Sequence, residues 1–286
     1  MTGADHAAPV EWGHPLNAGL VAWYLPLPGR AGASAFDLTG RCPAAALANA
    51  PGWAVMPNRF GWLSLTAASD QYANCGNPAP LQITGPLTVA VRYRLRTAPA
   101  NAGTYQLFSK DADSGGRAYT FDLTRNDPWP SGGGVRFYVN GGGGSNNQAT
   151  EGRNPAAADD RWVCGTFTPS TSGGLRVYVN GLLAASNAGT TDASIPSASA
   201  NVLIGRRGYA GYTEPLDGWV GDVRVYARAL SAAEVANLHD QHRRGYPDLL
   251  RRVPARRRAF VAASPPPPPP AASGFPAVVV GGGFGW

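Results

Sequence analysis

Pro-Leu-Thr-Val-Ala-Val-Arg-Tyr-Arg-Leu-Arg, residues 86–96, is the stretch that decides the fold. Leu87, Val89, Val91, Tyr93 and Leu95 alternate with Thr88, Ala90, Arg92, Arg94 and Arg96. Successive side chains of a strand point to opposite faces, so this period of two predicts a half-buried strand with the first set inward. On this reading Val91→Asp puts an unpaired charge into an apolar interior and unfolds the domain, whereas Arg92→Ala is close to neutral.

The same device recurs on both sides. Val135, Phe137 and Val139 oppose Arg136 and Tyr138. Leu175, Val177 and Val179 lead into Asn180-Gly181, a strong hairpin signal. Further strands are predicted at 20–25, 62–66, 104–109, 118–124, 161–168, 202–206 and 219–226. Many short strands with no helix between them imply an all-β antiparallel sandwich of two sheets. One helix is signalled over 231–242. Ser231-Ala-Ala-Glu234 has the form of a capping box, Val235 and Leu238 make an apolar stripe, and Gly245 and Pro247 end it. Four zones follow: a lead-in over 1–18, the sandwich over 19–242, an Arg-rich connector over 243–264 and a Pro-rich tail over 265–286.

Composition agrees. The 286 residues are 44% hydrophobic and 15% charged, with 37 Gly, 26 Pro, four Glu and one Lys, which excludes a helical bundle or coiled coil. No apolar run reaches the length of a transmembrane helix. The opening residues have neither a basic start nor an apolar stretch, so no secretory signal is expected and synthesis is expected in the cytoplasm. The net charge is +6, and seven arginines fall between Arg243 and Arg258. No nucleic-acid motif accompanies them, so the strip reads as a solvated connector or a protein contact rather than a nucleic-acid site. Cys42, Cys75 and Cys164 have no CxxC spacing, which rules out a disulfide scaffold or zinc ribbon. Cys164 reads as a buried thiol, and pairing of Cys42 with Cys75 stays open.

GLVAWYLPLPGRAGASAFDLTGR, RFGWLSLTAASDQYANCGN and GPLTVAVRYRL, followed by RWVCGTFTPSTSGGLRVYVNGLLAAS and NVLIGRRGYAGYTEPLDGWVGDVRVYARALSAAEVANLH, resemble a laminin-G-like, concanavalin A-like lectin/glucanase domain. The likeness covers residues 16–245 and implies a jelly-roll sandwich used for binding sugars or proteins. VEWGHPLNAGLVAWYL and GYPDLLRRVPARRRAF resemble flanks of such proteins encoded by tailed bacteriophages and prophages. That resemblance implies a component of the virion surface, made in the host cytoplasm.

Catalytic chemistry is sparse. Glycoside hydrolysis needs two facing acids, and the glucanase pattern E-x-D-x-x-E or E-x-D-x-E is absent. Glu214 and Asp217 are wrongly spaced for one strand face, and Asp159 and Asp160 are adjacent. No catalytic residue is assigned. The alternative reading is a carbohydrate-active hydrolase with relocated acids. His239 and His242 could share a metal, but helix capping and solvent exposure explain them better. Relatives hold calcium with loop aspartates, and Asp111 and Asp113 offer weak candidates; no cofactor is expected.

Exposed aromatics beside polar groups would hold a glycan. Tyr209 and Tyr212 in a Gly-rich stretch are the first candidates, then Asn126, Asp127 and Trp129. Trp219 and Tyr226 read as sandwich packing. Pro265 to Pro270 favour a polyproline rod ahead of an apolar segment containing Phe275, Val278, Val279, Val280, Phe284 and Trp286. These are expected to anchor the chain to other virion proteins and to itself as a homo-oligomer. A host surface glycan is the other expected partner.

Overall fold

The structure, a computed structural model, describes residues 10–26, 34–55, 61–112, 116–126, 133–140, 146–209 and 211–250. The strands, in chain order, begin with β1 (Leu20–Tyr24), β2 (Ser34–Ala35), β3 (Ala45–Ala48), β4 (Gly52–Val55), β5 (Gly61–Leu65) and β6 (Tyr72–Gly76). Next come β7 (Leu87–Leu95), β8 (Thr104–Lys110), β9 (Tyr119–Thr124), β10 (Gly134–Asn140) and β11 (Asn146–Thr150). The series ends with β12 (Asp160–Phe167), β13 (Leu175–Val179), β14 (Leu182–Ser186), β15 (Val202–Ile204), β16 (Gly218–Tyr226) and the helix α1 (Ala232–Arg243). The predicted connector reaches into the described residues only as far as 250.

Two eight-stranded antiparallel sheets form the sandwich. Sheet one runs β14-β13-β12-β7-β16-β5-β4, with β1 paired to β16; sheet two runs β11-β10-β9-β8-β15-β6-β3-β2. Strand β7 is central in sheet one, paired with β12 on one side and β16 on the other. Its Leu87, Val89, Val91, Tyr93 and Leu95 lie in the core between the sheets, as the alternation predicts. Across from them Phe121 and Leu123 of β9 and Phe137 of β10 fill the other half. Gly165 of β12 makes this fit possible. An added Cβ there would sit 2.3 Å from the Phe137 ring, well inside van der Waals contact.

The outer face of sheet one is not solvated along its whole length. Thr88 and Ala90 are fully buried, because a second apolar cluster covers them. It gathers Trp23, Trp162, Cys164, Tyr178 and Tyr226 under Val235 and Leu238 of α1, together with Val10, Leu16, Tyr246 and Leu249. Val10 and Leu250 form an antiparallel bridge, and the Glu11 N–H donates to Leu249 O at 2.9 Å. The capping box is present as predicted: the Ser231 hydroxyl accepts from the Glu234 N–H while the Glu234 carboxylate accepts from the Ser231 N–H.

A bulge in β16 brings charge into this second cluster. The register slips between Val220 and Val223, so Val220, Val223 and Val225 all stay in the inter-sheet core. Asp222 and Arg224 are thereby buried under α1, at 2% and 0% exposure. Asp222 accepts from the Trp23 indole N–H at 2.7 Å, the Arg224 Nε–H at 3.3 Å and the Tyr246 hydroxyl at 2.5 Å. The Arg224 guanidinium lies 3.7 Å from the Trp23 ring centroid and 4.3 Å from that of Tyr246. His242 hydrogen-bonds Tyr246 through Nδ1, and its Nε2 is 2.8 Å from Arg92 Nη1. A guanidinium only donates, so Nε2 accepts and the imidazole carries its proton on Nδ1. The solvent exposure expected of His242 is therefore wrong; it is 5% exposed and has both nitrogens engaged.

Two aromatics also resolve differently from each other. Tyr226 is buried, but in the second cluster rather than between the sheets. Trp219 is half-buried on the outer face of sheet one, with Arg96 4.6 Å and Arg94 5.9 Å from its ring centroid. Cys42, Cys75 and Cys164 are unpaired and buried. Burial pushes the Cys42 thiol up to about 12 and raises Cys75 and Cys164 as well, so none is a thiolate nucleophile. No helix among the described residues is long and apolar enough to cross a membrane.

Candidate functional site

The outer face of sheet two is built by the residues left over when the core takes its share. Tyr119, Phe121 and Leu123 of β9 and Val135, Phe137 and Val139 of β10 point inward. Thr120, Asp122, Arg136 and Tyr138 therefore point outward. Strand register puts them in rows: Asp122 faces both Gln106 of β8 and Arg136, while Tyr138 faces Thr120 and Gln148 of β11. Asp122 and Arg136 form a two-pronged pair, Nε to Oδ1 at 2.9 Å and Nη2 to Oδ2 at 3.2 Å.

One edge of this face is closed by Asp111, directly after β8. Its carboxylate, 1% exposed, accepts from Arg117 Nε at 3.1 Å and Arg207 Nε at 2.7 Å. Gly208 allows the chain to pass this close, since a Cβ there would lie 2.4 Å from Asp111 O. These groups line a pocket of about 150 Å³ with Thr120, Asp122, Arg136, Tyr138 and Gln148. Asp111, one of the two aspartates offered for calcium, has its two oxygens facing two guanidiniums, and Asp113 lies outside the described residues. No group of three or more His, Cys, Asp or Glu suited to a metal occurs among the described residues.

Glu214 stands beside the pocket. Its carboxylate accepts from Gln106 Nε2 at 2.6 Å and lies 3.5 Å from Arg207 Nη1. Burial raises its pKa above the usual glutamate value, although Gln106 and Arg207 both pull it down. Its backbone sits at φ 45°, a left-handed conformation that costs a non-glycine residue about 1–2 kcal/mol. The Gln106 N–H donates to its carbonyl at 3.0 Å and helps hold it there.

The tyrosines predicted from sequence meet at this edge. Tyr209 and Tyr212 form an antiparallel bridge with ring centroids 6.2 Å apart. Arg207 and Arg117 lie 4.9 and 5.6 Å from the Tyr209 ring centroid, which holds that ring against the pocket wall. Tyr212 is 67% exposed. Asn126 is elsewhere, beyond the far end of β9, where its side chain bonds Asn101 and Asn154. Asp127 and Trp129 lie outside the described residues, as do Phe275, Val278, Val279, Val280, Phe284 and Trp286. The sequence reading passed over Asp122, Arg136, Arg117 and Arg207. For Asp122 and Arg136 the signal lies in the outward positions of β9 and β10, but only the register turns two separate alternations into one charged row; Arg117 and Arg207 stand outside those strands.

Residues 67–236 match the laminin-G-like family model described as the concanavalin A-like lectin/glucanases superfamily. Among solved structures, the binding domain of Paraclostridial Mosquitocidal Protein 1 is similar at TM-score 0.59 and 12% identity, covering 79% of this chain and 53% of that one. The receptor binding domain of botulinum neurotoxin D gives 0.56 and 12%, with 79% and 54% covered. Domain 4 of AbnA, a GH43 extracellular arabinanase from Geobacillus stearothermophilus in complex with arabinotriose, gives 0.52 and 16%, with 77% and 98% covered. The chain thus spans about half the length of the toxin structures. At these identities the likeness is one of fold. No curated protein matches the chain.

Proposed function

Because the chain belongs to the concanavalin A-like lectin/glucanases superfamily, we propose that it is a non-enzymatic binding protein that takes glycan on the outer face of sheet two. The observation carrying this reading is the pocket edged by Tyr209 and Tyr212, where Arg117, Arg136 and Arg207 supply fixed donors and Asp111 and Asp122 supply acceptors. Sugar hydroxyls need both kinds of group within reach, and a pyranose face stacks on an exposed ring. The arabinotriose complex of the arabinanase domain supports an oligosaccharide as ligand, and the toxin domains support attachment to a surface. A glycan array with the intact chain and Tyr212→Ala tests it: selective binding that falls at least tenfold in the variant is expected. Equal binding by both would exclude this face.

The phage-like flanks extend the proposal to a virion surface protein, as a capsid decoration, head fibre or tail component, anchored by Phe275, Val278, Val279, Val280, Phe284 and Trp286. Deleting residues 271–286 is expected to leave a folded, glycan-competent sandwich that no longer joins its particle. Normal incorporation of the truncated chain would refute the anchor. One observation favours hydrolysis as a second reading: Glu214 is strained, and burial, with Asp122 nearby adding to it, raises its pKa, the environment of a general acid. Release of reducing ends from a bound polysaccharide, lost in Glu214→Gln while binding persists, would select it.

A further inference from the structure

A second cavity lies on the opposite side of the sandwich. A cleft of about 310 Å³ opens between α1 and sheet one, lined by Arg92, Asp160, Trp162, Asn180, His239, His242 and Arg243. On α1 the spacing 239, 242 and 243 brings both imidazoles and the guanidinium to one side. The floor comes from β7 and β12, and the far wall is the β13–β14 turn. That turn has Asn180 at φ 50° and Gly181 at φ 81°, the two positive values of a tight hairpin. A Cβ at Gly181 would lie 3.0 Å from His239 Nδ1, so glycine lets the turn pass beneath the imidazole.

The charges in the cleft do not cancel. Asp160 accepts from Arg92 Nε at 3.1 Å and Nη2 at 3.0 Å, which neutralises both. His242 is an uncharged link between Arg92 and Tyr246 and has no nitrogen left for a metal. Arg243 has no acidic group within ion-pair distance among the described residues. Asn180 Oδ1 accepts from the Trp162 N–H at 3.1 Å, which fixes the amide orientation and leaves Nδ2 as a donor toward the cleft. The His239 ring, 5.5 Å from the Trp162 ring, has no hydrogen-bond partner among the described residues. One uncompensated guanidinium, one amide donor and one imidazole beside an indole are thus assembled in a space of monosaccharide size.

We propose that this cleft is a second binding site, for a small organic ligand bearing one oxyanion group held by Arg243 and Asn180 with its body against His239. It is independent of the glycan face, which lies on the other sheet. His239 supplies the readout. Burial lowers its pKa, and it is faced by Arg243 and Asp240 of its own helix and by Arg92 of β7. An anion bound beside it favours the charged imidazole and raises that pKa.

The test is an NMR titration of the histidine side chains of the full chain with glucuronate, inorganic phosphate and, as the neutral control, glucose. Saturable movement of the His239 resonances with glucuronate, an upward shift in their titration midpoint, and no response to glucose are expected. Phosphate acting alike assigns the site to the oxyanion itself, whereas glucuronate acting alone assigns it to a carboxylate on a ring. Arg243→Ala should weaken binding at least tenfold, and Arg117→Ala, on the opposite sheet, should leave it unchanged. Silence toward both anions, an equal response to glucose, or full binding by Arg243→Ala would overturn the proposal.

Discussion

Arg92 lies on the outer face of β7, as the alternation predicts, yet its surroundings are those of a structural residue. It forks onto Asp160, stacks 4.9 Å from the Trp62 ring centroid and donates to His242. The near-neutral Arg92→Ala expected from sequence is therefore replaced by a loss of about 1–2 kcal/mol, modest because Asp160 is itself well exposed. Urea midpoints of the two proteins check it. His242 gives a second expectation. Burial first, then Arg92 and Arg224, hold it at about 3 against the ordinary 6.5, with Asp222 opposing. Below pH 6.5 the unfolded chain takes up a proton that the folded chain refuses until about pH 3. Stability is complete above 6.5 and declines as pH falls toward 3, at up to about 1.4 kcal/mol per unit from this one group. His242→Gln should flatten the decline between pH 7 and 5, and parallel curves would remove His242 as its source. Alternation could announce neither role, because both depend on α1 folding back over a face that a single strand shows as open.

Strand β7 was legible because it alternates over its nine residues and carries bulky inward side chains. Strands β2, β3, β4, β6 and β11 were not. They are short, and segments such as Ala45–Ala48 hold mostly small residues with no contrast between faces. Asn180-Gly181 and Ser231–Glu234 were readable from chemistry that is purely local. Gly165 was unreadable, since nothing in its own strand announces the Phe137 ring on the other sheet. Gly165→Ala should cost about 1–3 kcal/mol through overpacking. Adding Phe137→Leu should cost less than the two single changes summed, because the smaller side chain yields space to the new methyl. Strict additivity in a double-mutant cycle would mean the two sheets relax apart instead. Val91→Asp, in the same core, should leave no cooperative thermal transition.

At the scale of the molecule the two sheets have different tasks. Sheet one buries much of its outer face under α1 and the segments around Val10 and Leu249, while the outer face of sheet two presents the arginine, aspartate and tyrosine pocket. Binding and stability should therefore separate. Tyr212→Ala should keep its unfolding free energy within about 0.5 kcal/mol, being an exposed ring, while losing glycan; unfolding together with loss of binding would contradict this. The bridge between Val10 and Leu250 carries a mechanical consequence. The two segments run antiparallel, side by side, although they are far apart in sequence. Tension applied across them would load their few hydrogen bonds one after another, as in opening a zipper, before any shear reached the sheets.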